Sequence, residues 1–177
     1  MVAAPTVIGA QSPFQHSDTE TYTDNILGPV WFSLYNLRVE GTNTNPAAPV
    51  QSPYIVAGDE EFVVSVDIKF NKTPLSSLLM CLGTKITVNF GLEGFGNKAG
   101  EVDLEAMIIT QSNVFDYTIS YKTKPMDVNM GPGLYEIGAT AEIGPVVNEC
   151  KTPVFGYGYI EEALLQVYPA GADLPLD

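Results

Sequence analysis

Apolar side chains recur at every second position through most of this chain, the spacing of an extended strand with one face on a core and the other in water. The clearest segment is Glu61 to Phe70, where Phe62, Val64, Val66, Ile68 and Phe70 fall on one side and Ser65, Asp67 and Lys69 on the other. Ile86, Val88, Phe90 and Leu92 repeat the pattern against Lys85, Thr87, Asn89 and Glu93. The glycines of Gly94-Phe-Gly-Asn-Lys-Ala-Gly100 then predict a hairpin loop, so Glu101 to Ile109 should return antiparallel with Val102, Leu104, Ala106 and Ile108 inward. Phe115, Tyr117, Ile119 and Tyr121 continue the series, as do Tyr135, Ile137, Ala139, Ala141 and Ile143. Trp31 to Glu40 gives an earlier strand, with Trp31, Tyr35, Leu37 and Val39 in one register. Val154 to Tyr168 gives a last one, read as strand throughout although Glu161 to Gln166 has the composition of helical turns. A single helical turn is expected at Leu75 to Leu82, capped by Ser76 and Ser77 and stopped by Gly83.

About seven strands with one apolar face each, separated by turn residues, predict an all-β fold: a two-layer antiparallel β-sandwich with at most one short helical turn. Residues 1–28 are rich in Thr, Ser, Pro, Gln and Asp without periodicity and read as an irregular arm, leaving 29–177 as one sandwich domain. The Pro- and Asn-rich stretch from Gly41 to Pro53 reads as a surface connection between two strong strands.

Two segments carry a resemblance. Gly58-Asp-Glu-Glu-Phe-Val-Val-Ser-Val-Asp-Ile68 resembles the second strand of immunoglobulin-like and fibronectin-like modules. Gly131-Pro-Gly-Leu-Tyr-Glu-Ile-Gly-Ala-Thr-Ala141 resembles the proline-glycine-aromatic lead-in to a late strand of the same sandwiches. The chain departs from the antibody type, because Cys81 and Cys150 do not fall on the paired central strands and Trp31 precedes both. What the resemblance implies is architecture; it names no partner.

Charge then narrows the partners. Eight Lys plus Arg against 21 Asp plus Glu give a net charge of −13, with no basic run to neutralise a phosphate backbone, which argues against nucleic acid and against docking on anionic lipid. The first ten residues lack the charged and apolar regions of a secretory signal and are too broken for a membrane span, so an intracellular, membrane-free chain is expected. Cys81 and Cys150 have no metal-ligand spacing and read as buried free thiols, with one disulfide as the alternative.

Candidate chemistry is sparse. The one histidine, His16, stands beside Ser17 and Asp18 in the arm, where neighbours in sequence cannot converge as a catalytic triad. Gly91-Leu-Glu-Gly-Phe-Gly96 has the glycine content of a phosphate loop but lies between two strands, and hairpin chemistry accounts for it. Asn71-Lys-Thr73 matches a glycosylation acceptor, which means nothing without export. Glu101, Asp103 and Glu105 place three carboxylates on one strand face about 6.5–7 Å apart; with Asp59, Glu60 and Glu61 they suggest an oxygen-rich calcium site, against the plainer reading of a solvated face that prevents edge association. Phe155, Tyr157 and Tyr159 alternate with Gly156 and Gly158, so one face of that strand is bulky and the other bare. Core packing is the ordinary role of such aromatics; together with Trp31 they are also the candidate platform for a sugar ring or a protein, and the bare face predicts a close approach from within the fold or from a neighbouring subunit.

Three functions follow from these features. The first is a non-catalytic interaction or structural module, self-associating or bound to a protein partner. The second is a domain that binds carbohydrate or calcium through end loops and aromatics, calcium being the one cofactor the sequence suggests. The third, a hydrolase built on carboxylates, is disfavoured because no acid pair lies in a visibly apolar setting that would keep one protonated.

Overall fold

The computed structural model describes residues 21–23, 25–27, 30–42, 54–96, 99–147 and 156–171, and strands dominate it. In chain order they are β1 (Thr21–Thr23), β2 (Asn25–Leu27), β3 (Val30–Gly41), β4 (Ile55–Ala57), β5 (Phe62–Phe70), β6 (Thr84–Phe95), β7 (Val102–Ile109), β8 (Asp116–Thr123), β9 (Gly133–Pro145) and β10 (Gly156–Tyr168). One α-helix, α1 (Pro74–Leu82), joins β5 to β6, and a 3-10 turn at Pro125–Val128 precedes β9. The strands form two sheets. One has the order β1-β10-β9-β6-β7, with β4 also paired to β10; the other has the order β2-β3-β5-β8 and curls into a half-barrel. Phe32, Phe62 and Phe70 of the second sheet and Phe90, Tyr135 and Ile137 of the first belong to one buried cluster.

Three details differ from the sequence expectation, each for a local reason. Ten strands replace about seven because β1, β2 and β4 have three residues each, too few to show alternation. Two of them, β1 and β2, lie in the stretch read as an irregular arm; residues 1–20, His16 included, lie outside the described residues. The pairing is also not wholly antiparallel, since β4 runs parallel to the end of β10, Val56 opposite Val167.

The helix is longer than one turn because it starts earlier than Ser76. Thr73 is the cap: its Oγ1 accepts from the Ser76 amide at 3.1 Å, and Pro74 supplies a first residue that needs no amide partner. Ser76 is instead fully buried and donates to Asn71 Oδ1 at 2.7 Å, while Asn71 also accepts from the Trp31 amide at 3.2 Å. The Asn71-Lys72-Thr73 triplet is therefore a stitch between β3, β5 and α1. At the other end Gly83 takes a positive φ of 80°, and Thr84 Oγ1 donates to the Leu79 carbonyl at 3.0 Å. Buried Thr110 completes the joint by accepting from the Thr84 amide at 2.7 Å and facing the Met80 carbonyl at 3.4 Å. Thr110→Val keeps the shape and removes that acceptor, so it should destabilise the fold by about 1–3 kcal/mol in urea titration.

Two bulges bend the strands that lie where the sheets meet. In β3, Tyr35 pairs with Asp67 but the next pair is Arg38 with Ser65, so two residues of β3 oppose one of β5, and Asn36 adopts φ 55°. In β10, Ile160 pairs with Ala139 and the next pair is Ala163 with Ile137, with Glu162 at φ 87°. The inward set of β3 is accordingly Val30, Phe32 and Leu34 before the bulge and Leu37 and Val39 after it. This corrects the expected register: Trp31 and Tyr35 face away from the core.

Candidate functional site: an acidic cleft on the six-stranded sheet

Strand alternation decides what the outer face of the six-stranded sheet carries. Phe90, Leu92, Leu104, Ile137, Ala139 and Ile160 point inward, so their neighbours Asn89, Gly91, Glu93, Asp103, Glu136, Gly138 and Tyr159 point out. Cross-strand register then assembles them. Gly91 pairs with both Asp103 and Gly138, Glu93 with Glu136, and Asn89 with both Glu105 and Thr140; Thr140 in turn pairs with Tyr159. The two glycines lie side by side as a bare floor, and a Cβ at Gly91 would come 3.8 Å from the Asp103 carboxylate. Around that floor Glu93, Glu101, Asp103, Glu136, Glu161 and Tyr159 form the walls of a cleft of about 270 Å³.

The structure thus unites two groups that the sequence presents separately. Glu101 and Asp103 stand on one wall and Tyr159 on the other, while Glu105 lies one row along on the same face. Tyr157 is one row further, 55% exposed opposite Glu142. The ordinary expectation of core packing is therefore inverted for this strand: its tyrosines face outward and its glycines inward. The close approach predicted at the bare face comes from within the fold, since a Cβ on Gly158 would meet the Phe32 ring at 2.7 Å and Leu34 Cδ1 at 2.8 Å. Trp31 is not part of the platform; it sits on β3 of the other sheet, half-buried on its outer face. Phe155 and Cys150 lie outside the described residues, and Cys81 is an exposed free thiol on α1, not a buried one.

No protein-family model and no curated protein matches the chain. Geometry has to carry the reading alone. Among the described residues no group of three or more His, Cys, Asp or Glu side chains is placed to hold a metal ion, so Glu101, Asp103 and Glu105 do not converge as a calcium site. Asp59, Glu60 and Glu61 do not join them, because they lead into β5 of the other sheet, where Glu61 pairs with Lys122 at 2.8 Å and is held below the ordinary carboxylate range by that hydrogen bond. No helix among the described residues is long and apolar enough to cross a membrane.

Glu93, Glu136, Glu161, Gly91 and Gly138 are the cleft residues that sequence reasoning does not single out. Glu93 and Glu136 were findable, since each sits at an outward position of a strand with clean alternation. Gly91 opens the glycine-rich run to Gly96 that the sequence assigns to hairpin chemistry, whereas β6 continues as strand to Phe95. A second, larger groove of about 450 Å³ opens where the two bulges face each other, lined by Asn36, Leu37, Arg38, Tyr54, Glu162 and Leu164. Its one cation, Arg38, is already engaged by Asp67 at 2.9 Å, whereas the lining of the acidic cleft carries carboxylates and no cation.

Proposed function

We propose that this chain is a non-catalytic interaction module of immunoglobulin-like architecture that holds a basic segment of a protein partner against the outer face of its six-stranded sheet. Topology supports the architecture. With the seven long strands lettered A, B, C, C′, E, F and G in chain order, the neighbours are A-B-E in one sheet and C′-C-F-G in the other, as in sandwiches of that class without a D strand. Tyr135 adds a local feature of the same class: at the start of the F-like strand it is fully buried and its hydroxyl donates to the Gly131 carbonyl at 2.7 Å, four residues upstream.

The observation that carries the binding role is the cleft lining itself: five carboxylates and a phenol around a glycine floor, with no basic side chain among them. Walls dominated by carboxylates call for an occupant that brings donors and positive charge, and an Arg or Lys side chain supplies both while stacking on Tyr159. A second reading, capture of a neutral carbohydrate, is favoured by the outward row of Tyr157 and Tyr159 beside Asn89 and Thr140.

Titration calorimetry with an Arg- and Lys-rich peptide separates the two. Binding of the peptide should weaken at least about tenfold in Asp103→Asn with Glu136→Gln, and again when salt is raised from about 0.05 to about 0.5 M. An affinity indifferent to both changes would overturn the basic-partner reading. Sugar binding that ignores salt but disappears in Tyr159→Ala would replace it.

A further inference from the structure

Large exposed apolar side chains collect at one end of the six-stranded sheet. Gly83 closes α1 there, and a Cβ at that position would touch Ile109 Cγ2 at 3.4 Å and Val146 Cγ2 at 3.9 Å. Ile109 and Val146 are 52% and 42% exposed, and Val147 beyond them is 73% exposed. Leu82, immediately before Gly83, is 71% exposed, and Leu78 lies one helical turn back on the same stripe at 51%. Met107, two residues before Ile109 on the outer side of β7, is 61% exposed. No residue of α1 is charged; Lys85, between Ile109 and Gly144 in register, and Glu105, two residues before Met107 on the same face, stand at the margin.

We propose that this end of the molecule is the contact between two copies of the chain in a two-fold symmetric dimer. Six such side chains present on the order of 500 Å² of apolar surface, toward the upper end of the roughly 300–600 Å² patch an ordinary monomer shows, and two copies meeting there would bury about the ~1,000 Å² that a specific interface needs at the least. Charge then fixes this end as the seat for a second copy. Two bodies of net charge −13 repel wherever their acidic faces meet, so they approach best through these apolar side chains and the uncharged α1. The other route to self-association, pairing along the free edge of β7, would set Glu101, Asp103 and Glu105 of one copy against carboxylates of the other. A two-fold axis beside α1 instead packs the Leu78–Leu82 stripe on its own image, and each substitution there counts twice.

This inference does not rest on the cleft. Sedimentation equilibrium of the full chain should show a monomer–dimer equilibrium that tightens as salt rises, because salt screens the repulsion between the acidic bodies. That is the opposite sign to the salt effect on a basic ligand, so the two ideas fail separately. Leu82→Glu should weaken dimerisation at least tenfold, with Leu82→Ala as the milder variant if the glutamate disturbs folding, judged by circular dichroism. Leu164→Glu, at another exposed leucine elsewhere on the sheet, should leave it unchanged. A chain that stays monomeric at every concentration and salt, or a dimer weakened by Leu164→Glu and not by either Leu82 variant, overturns the proposal.

Discussion

Replacing Asp67 with alanine should cost the fold about 3 kcal/mol and lower the melting temperature by about 6–12 °C. Asp67 sits mid-strand in β5 on the outer face of the curled sheet, its side chain only 13% exposed. It accepts from Thr118 Oγ1 of β8 at 2.6 Å, from Asn36 Nδ2 at 2.7 Å and from Arg38 Nη1 at 2.9 Å, the last two from the bulge of β3. One carboxylate therefore ties three strands together and holds the bulge that bends the sheet. Arg38 is half-buried and stays solvated when its partner goes, which keeps the loss below that of a fully buried pair.

The same residue makes stability depend on pH in a defined direction. Burial alone would raise its pKa, but hydrogen bonds from Thr118, Asn36 and Arg38, with the Arg38 charge, outweigh that and hold it below the ordinary value. A carboxyl whose folded pKa is depressed contributes stability above its unfolded pKa of about 3.9, and that contribution is lost as pH falls through the folded value. Wild-type stability should accordingly decline on acidification below about pH 4–5, and Asp67→Asn should be less stable at neutral pH with a shallower acid decline over that interval. Urea midpoints measured from pH 7 to 2.5 check both. Parallel acid profiles for the two proteins would show that Asp67 does not hold the depressed pKa.

Where the strand period runs unbroken, the fold was legible. Phe62 to Phe70 and Ile86 to Leu92 are buried at the expected alternate positions because the extra residue of the β3–β5 bulge belongs to β3, so the alternation of β5 and of β6 is itself uninterrupted. Where a bulge intervenes, the period breaks in a way that imitates something else. Inward residues on either side of a bulge are three apart, Leu34 to Leu37 in β3 and Ile160 to Ala163 in β10, and three is a helical spacing. In β10 that spacing coincides with the helix-forming composition of Glu161 to Gln166, which therefore reads as helical turns, and in β3 it puts Trp31, in the unalternating run Val30-Trp31-Phe32, on the wrong face. The cleft was legible in its parts and not in its assembly. Glu101, Asp103 and Tyr159 stand out along the chain, but only the order β10-β9-β6-β7 lays them on opposite walls of one floor, and long-range pairing is not written in local spacing.

Gly158→Val should be the more severe of the packing changes available at β10, costing about 3 kcal/mol or more, with Gly158→Ala at about 1–3 kcal/mol. The glycine lies in extended β10 and owes nothing to a left-handed backbone; what it lacks is room. Its Cβ position is filled from the opposite sheet by Phe32 Cε2 at 2.7 Å, Leu34 Cδ1 at 2.8 Å and Leu34 Cγ at 3.1 Å, both side chains fully buried. Any added atom must push Phe32 and Leu34 back into a cluster that already includes Phe70, whose ring centroid is 5.8 Å from that of Phe32. If this collision is the cause, trimming a neighbour should relieve it. Leu34→Ala alone leaves a cavity and costs about 2–5 kcal/mol, but combined with Gly158→Ala the two losses should sum to less than their parts by about 1 kcal/mol or more. Strict additivity in that double-mutant cycle would mean that the inward glycine is held for another reason. The consequence reaches the outer face as well: Tyr157 and Tyr159 point outward because the positions alternating with them, Gly156 and Gly158, are buried, so a valine that displaces β10 should also weaken any ligand that leans on Tyr159.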